Sequence, residues 1–142
     1  MSATASRPSA IDAAFWALVA GAVLLLAGGV LAATVSFDAL RQAAPPTVSD
    51  DAVRSYARLY RGAGVLFSLA AAALAAFAVR ARDGDPRFRR SVMTLGLTIV
   101  VLVGVAAVFA GTHILALLSL VPVVIGILLL SRPSVVEWYA NG

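Results

Sequence analysis

Cysteine and lysine are absent from this 142-residue chain, and histidine occurs once, as His113. Without thiols there is neither a disulfide framework nor a thiolate-held metal. Charge is sparse as well: 13% of residues are ionised against 61% hydrophobic, and the mean hydropathy is +0.96. Intrinsic disorder needs the opposite balance, and a soluble domain of this size has too little polar surface to cover so apolar a chain. The patterns of chemistry are missing too. There is no HExxH, no phosphate-binding loop, no Ser–His–Asp set and no pair of carboxylates inside an apolar run. These absences exclude a soluble enzyme, and they predict no catalytic, cofactor or metal site. An integral membrane protein remains.

What is present is apolar length. Ala13–Val35 is a 23-residue run flanked by Asp12 and Asp38. That length crosses a hydrocarbon core of about 30 Å. Between Arg61 and Arg80 lie 18 residues, and Ser91–Ser131 is a 41-residue stretch with no formal charge. A single helix of that last length is about twice too long for one crossing, so it folds back. Ala110-Gly111-Thr112-His113 is the natural hinge. Backbone groups in lipid must be satisfied within the segment, so the runs are helical. The expectation is an all-α, single-domain integral membrane four-helix bundle. Its spans lie near residues 13–35, 62–79, 92–109 and 114–130, and the last two form a tight hairpin. The first run also has the marks of a signal peptide, with Arg7 before it and Val30-Leu31-Ala32 as a small-residue cleavage pattern. Its length exceeds a typical signal core, which favours a retained span.

All eleven basic residues are arginine, which points to a GC-rich genome. They sit just outside the apolar runs, where arginine meets headgroups, and no accompanying motif turns their charge into a nucleic-acid signal. The N-terminal tail, the loop 80–90 and the C-terminal tail 131–142 carry seven arginines together. The other side carries four, Arg41, Arg54, Arg58 and Arg61. The excess places both termini in the cytoplasm, in a multi-pass protein of the plasma (inner) membrane. Phe15, Trp16, Trp138 and Tyr139 form an inner aromatic belt in this reading, and Phe37, Tyr56 and Tyr60 an outer one.

Outside the spans, segment 37–61 carries the most information. Pro45-Pro46 breaks the chain, and Ser49 or Thr47 then caps a helix with Asp50 and Asp51 in its first turn. This helix runs on into the second span, extending it on the outer side. Arg54, Arg58 and Arg61 recur at i, i+4 and i+7 beside Tyr56 and Tyr60, with Asp50 placed to pair with Arg54. The stripe suits contact with an acidic partner or anionic lipid; its plainer reading is a solvated helix end anchored by tyrosines.

Small residues form stripes suited to close helix approach in lipid. Ala14, Ala17, Gly21, Gly28, Ala32 and Ser36 recur in the first span, Gly64, Ser68, Ala72 and Ala76 in the second, and Gly96, Gly104, Ala107 and Gly111 in the third. They pack the bundle together, or they exceed its needs and meet a partner. Pro122 predicts a kink in the fourth span by freeing the carbonyl of Leu118, with Ser119 placed to compensate. His113 reads as an interfacial turn residue, and Asp83-Gly84-Asp85 as a tight turn with too few oxygens for calcium.

Small multidrug exporters share this size and topology but depend on a glutamate within the first span; here only Asp12 stands at its start. The opening Ala13-Ala14-Phe15-Trp16 with Gly28-Gly29, the middle Arg87–Arg90 and the closing Leu130-Ser131-Arg132-Pro133 with Trp138-Tyr139 resemble the uncharacterised small four-span membrane proteins of high-GC actinobacteria. That resemblance implies an envelope location and transfers no functional residue. The leading expectation is a non-enzymatic accessory or scaffolding subunit beside a larger envelope membrane complex. Its partners are the lipid bilayer and another membrane protein or a second copy, with no nucleic acid and no small-molecule substrate identified. A small homo-oligomeric transporter or channel is the alternative, for which the spans contribute only Ser68, Thr94, Thr98 and Ser119.

Overall fold

A computed structural model describes residues 6–141, and it is all-α, with no strand among them. The helices are α1 (Ser9–Ala33), α2 (Phe37–Ala43), α3 (Asp50–Arg82), α4 (Pro86–Phe109), α5 (Ile114–Leu130) and α6 (Pro133–Asn141). Helices α1, α3 and α4 are each long and apolar enough to cross a membrane. The 17-residue α5 makes a fourth candidate together with α6, which is bent from it by 60°.

Local chemistry accounts for the boundaries. Ser49 caps α3 by accepting the Ala52 amide, with Asp50 and Asp51 in the first turn and Arg80 and Arg82 in the last, both matched to the helix dipole. The hairpin from α3 to α4 turns at Gly84, whose φ of +100° suits glycine. Asp85 then caps α4 through the Arg87 amide, with Pro86 in the first turn. Gly111, at φ +76°, turns the chain between α4 and α5, and the His113 imidazole accepts the Leu115 amide to cap α5. Two short helices depart from the expected loop and tail. Ser36 caps α2 by accepting from Ala39, and Arg132-Pro133 starts α6.

The long helices close a ring in which α3 and α5 each pack against both α1 and α4. Helix α1 is the most enclosed. One of its edges meets α5 in antiparallel register: Gly28 faces Ala116, Gly21 faces Val123, and Leu18 sits over Gly126. The other edge meets α3 at Gly29 and Gly64. In α4, Gly96 receives the Ile127 side chain.

Not every small residue packs a helix. A Cβ on Gly104 would meet nothing within 4 Å, and Gly111 is a turn residue rather than a packing one. Gly104 follows Gly96 by eight residues, which turns it about 80° off the buried line, whereas Val103 stays on it. The four-residue stripe on α3 drifts likewise. Gly64 is buried and Ser68 half-buried, but Ala72 and Ala76 are exposed. The buried line alternates steps of three and four through Phe67, Ala71, Leu74, Ala78 and Ala81. Helix α5 continues through Pro122, and Ser119, fully buried, donates to Ala116 rather than to Leu118.

Candidate functional site

The two ends of the bundle differ. At the end holding the α3–α4 hairpin, polar groups lock the helices together. Arg82 pairs with Asp12 at 3.0 Å and lies 4.6 Å from the Phe15 ring centre, tying the end of α3 to the start of α1. Arg7 also reaches Asp12, at 3.3 Å, and donates to the Arg82 carbonyl. Arg89 donates twice to the Leu130 carbonyl at the end of α5 and lies over the Tyr139 ring. The Tyr139 hydroxyl donates to the Ala81 carbonyl, so α6 folds under the bundle. Burial pushes this phenol up to about 12, against the pull of Arg89 and Arg7.

The other end is more open. Beyond Val103 no residue of α4 is buried, and Phe109 at its tip is 83% exposed. A cleft of about 280 Å³ lies between α1, α3 and α4, lined by Gly28, Ala32, Tyr60, Phe67, Leu102 and Ala106. Tyr56 and Tyr60, one turn apart, stack with centroids 5.7 Å apart. The Tyr56 hydroxyl spans the cleft's mouth by donating to the Ala110 carbonyl at 2.6 Å. Tyr60, Ala63 and Phe67 recur at helical spacing, so one face of α3 supplies the wall. Such a cleft takes apolar side chains or hydrocarbon, at the small end of the range for ligand pockets.

A second depression, of about 170 Å³, lies on another face of α3, lined by Phe37, Arg54, Ala57, Arg58 and Arg61. Helix α2 forms its rim. Arg41 fixes the connection by donating to the carbonyls of Val48 and Pro45 and pairing with Asp50 at 3.1 Å. Asp50 therefore serves Arg41, not Arg54; Arg54 pairs with Asp51 at 3.0 Å and lies 5.5 Å from the Phe37 ring centre. Arg61 is half-buried, its Nε donating to the Val35 carbonyl at 2.8 Å. Arg58 is exposed, and among the described residues neither Arg58 nor Arg61 has a carboxylate within ion-pair distance.

The sequence-predicted set thus splits. Tyr56 and Tyr60 belong to the cleft, and Arg54, Arg58 and Arg61 to the separate groove. Gly28 and Gly64 touch the cleft while packing α1. Gly29 and Gly126, which pack helices, and Arg41, which anchors the α2–α3 connection, lie outside the sequence-predicted set. The Gly28-Gly29 doublet was a readable signal for the first, and the isolation of Gly126 in a run of large residues for the second. Among the described residues no group of three or more His, Cys, Asp or Glu could hold a metal ion, and no buried side-chain polar atom lacks a partner.

The chain matches no family model, and comparisons with curated proteins and with solved structures find no match.

Proposed function

We propose that this is a non-enzymatic four-span protein of the plasma membrane, an accessory or scaffolding subunit of a larger membrane complex. In this reading α1, α3, α4 and α5 are the spans, α3 projects on the outer side, and α6 lies along the inner interface. The 33 residues of α3 extend about 50 Å, well beyond a hydrocarbon core of about 30 Å. The arginine-rich end around Arg80–Arg90 faces the cytoplasm with both termini.

The observation that carries the subunit role is the open seam between α3 and α4. Lipid provides no hydrophobic drive between helices, so association depends on shape and close packing. The seam offers a concave apolar surface that the chain leaves unfilled. The alternative, a homo-oligomeric transporter or channel, draws little support from the span hydroxyls. Those of Ser68, Thr98 and Ser119 donate to carbonyls of their own helices.

The test is capture of the tagged full chain from native membranes in mild detergents, with mass spectrometry of what accompanies it. A stoichiometric membrane protein, reduced when the cleft is filled by Ala106→Phe, is the expected result. Recovery of the chain alone, or only as copies of itself, under several gentle conditions overturns the proposal.

A further inference from the structure

We infer that the groove between α2 and α3 binds an anionic phospholipid, with the phosphate held by Arg58 and Arg61 and an acyl chain lying along α3 below them. The inference rests on the membrane reading above but not on any protein partner.

Charge comes first. Asp38, Asp50 and Asp51 share this end of the chain with the arginines. Asp50 and Asp51 are paired with Arg41 and Arg54 respectively, and Asp38, on α2 beside Phe37, is exposed and lies within ion-pair distance of neither Arg58 nor Arg61. Arg61 uses Nε for the Val35 carbonyl, which fixes its stem and leaves both terminal nitrogens without a protein acceptor among the described residues. Arg58 has no hydrogen bond or ion pair among them, one turn before Arg61. Two guanidinium groups on one helix face, one of them anchored, suit the geometry of a phosphate.

Apolar continuity is the second argument. Arg61, Val65, Leu69 and Ala72 follow one another at steps of four, four and three, so they share a face of α3. Val65 is 51% exposed, Leu69 is 65% exposed, and Ala72 is exposed. The arginines therefore sit directly above an uncovered apolar strip, the arrangement a phospholipid presents in mirror image. The four outer residues Phe37, Tyr56, Tyr60 and Arg61 mark the level at which headgroups meet the hydrocarbon. A soluble phosphate would use the arginines alone and leave the strip bare.

The experiment reconstitutes the full chain into vesicles of phosphatidylcholine, with or without phosphatidylglycerol. Flotation reports insertion, and native mass spectrometry of detergent-released protein reports retained lipid. Insertion into both compositions is expected, with phosphatidylglycerol retained selectively. Retention falls about fivefold in Arg58→Gln and roughly twenty-five-fold in the double variant Arg58→Gln/Arg61→Gln, at about one surface arginine's worth of anionic-lipid attraction each. Arg87→Gln/Arg90→Gln, at the other end of the bundle, removes two exposed arginines without a fixed partner geometry and lowers retention less than Arg58→Gln alone. Arg58→Gln alone keeps the result readable if loss of the Arg61–Val35 bond disturbs folding, which circular dichroism monitors. Equal retention of phosphatidylcholine overturns the inference, as does full retention in Arg58→Gln, or inorganic phosphate competing as well as the lipid. Failure to float with either vesicle would instead overturn the membrane reading and this inference with it.

Discussion

A Cβ placed on Gly64 would lie 2.5 Å from the carbonyl oxygen of Gly29, so α1 and α3 touch backbone to backbone at this point. The neighbouring Ala33 nitrogen is equally close, and neither atom is the end of a flexible side chain. Gly64→Ala must therefore push the helices apart, with an expected loss of about 1–3 kcal/mol. Gly104 gives the contrast. With open space around it, Gly104→Ala removes backbone freedom without a clash and gains up to about 1 kcal/mol. Thermal unfolding in a mild detergent, followed by circular dichroism, should place the two Tm shifts on opposite sides of the parent. A Gly64→Ala protein as stable as the parent would mean that the crossing is looser than this.

The contrast between Gly64 and Gly104 also marks how far the amino-acid sequence carries the fold. Apolar run length located α1, α3, α4 and α5, and the hinge 110–113, because a helix in lipid needs both a minimum length and internal hydrogen bonding. A cap at Ser49 or Thr47 is legible for the same local reason, and the fold selects Ser49. Partnerships were not. A stripe of small residues says which side chains share a face, but a strict four-residue step turns slowly around a helix. Ala72 and Ala76 consequently end on the outside although Gly64 starts the stripe at an interface. Helices α2 and α6 are too short to declare themselves by periodicity. Asp50 has arginines within reach on two elements, and only the folded path of residues 44–49 selects Arg41 over Arg54. The cleft is not legible in the sequence because residues of α1, α3 and the segment ending α4 line it together, an arrangement no single run of sequence encodes.

Tyr139 links pH to the docking of α6. Its proton is held by the folded state, since burial raises the phenol from 10 to about 12. The stability it contributes is full below about pH 10, where the phenol is protonated folded or unfolded. It declines between about 10 and 12, as the unfolded phenol ionises while the folded one does not. Tyr139→Phe should lose roughly 1 kcal/mol at neutral pH through the hydrogen bond to Ala81. It should also flatten that part of the alkaline decline. Unfolding midpoints at pH 8, 10 and 11.5 in both proteins check this, and an identical decline in the two would assign the titration elsewhere.

Arg82 combines charge with stacking. It pairs with Asp12 and lies against Phe15, with Trp16 at 6.0 Å from its guanidinium carbon. Both partners of the ion pair are about one-third or more exposed, so the pair itself is worth at most about 1 kcal/mol and weakens with salt. Arg82→Lys can keep the charge but loses the planar stack, whereas Asp12→Asn keeps the stack and loses the charge. Stability of Asp12→Asn should converge on that of the parent at high salt, while Arg82→Lys should stay below it. Convergence of both would reduce the contact to simple electrostatics.

Filling the cleft separates a docking surface from an incidental gap. Ala106 lines the cleft on α4 and is half-buried, and about 280 Å³ lies open in front of it. A phenyl ring at that position enters vacant space, so Ala106→Phe should avoid the usual penalty of overpacking and leave the stability within about 1 kcal/mol of the parent's. Tyr56→Phe perturbs the same place by a different route. It frees the Ala110 carbonyl and unties α4 from α3 without adding volume. If a partner helix inserts at this seam, Ala106→Phe blocks it by occupancy, whereas Tyr56→Phe weakens only the mouth and leaves the concavity. Quantitative co-purification should therefore fall severalfold or more in Ala106→Phe and much less in Tyr56→Phe. Equal losses in the two would point to a general loosening of α4. No loss in Ala106→Phe, with folding intact, would place the association surface away from the α3–α4 seam.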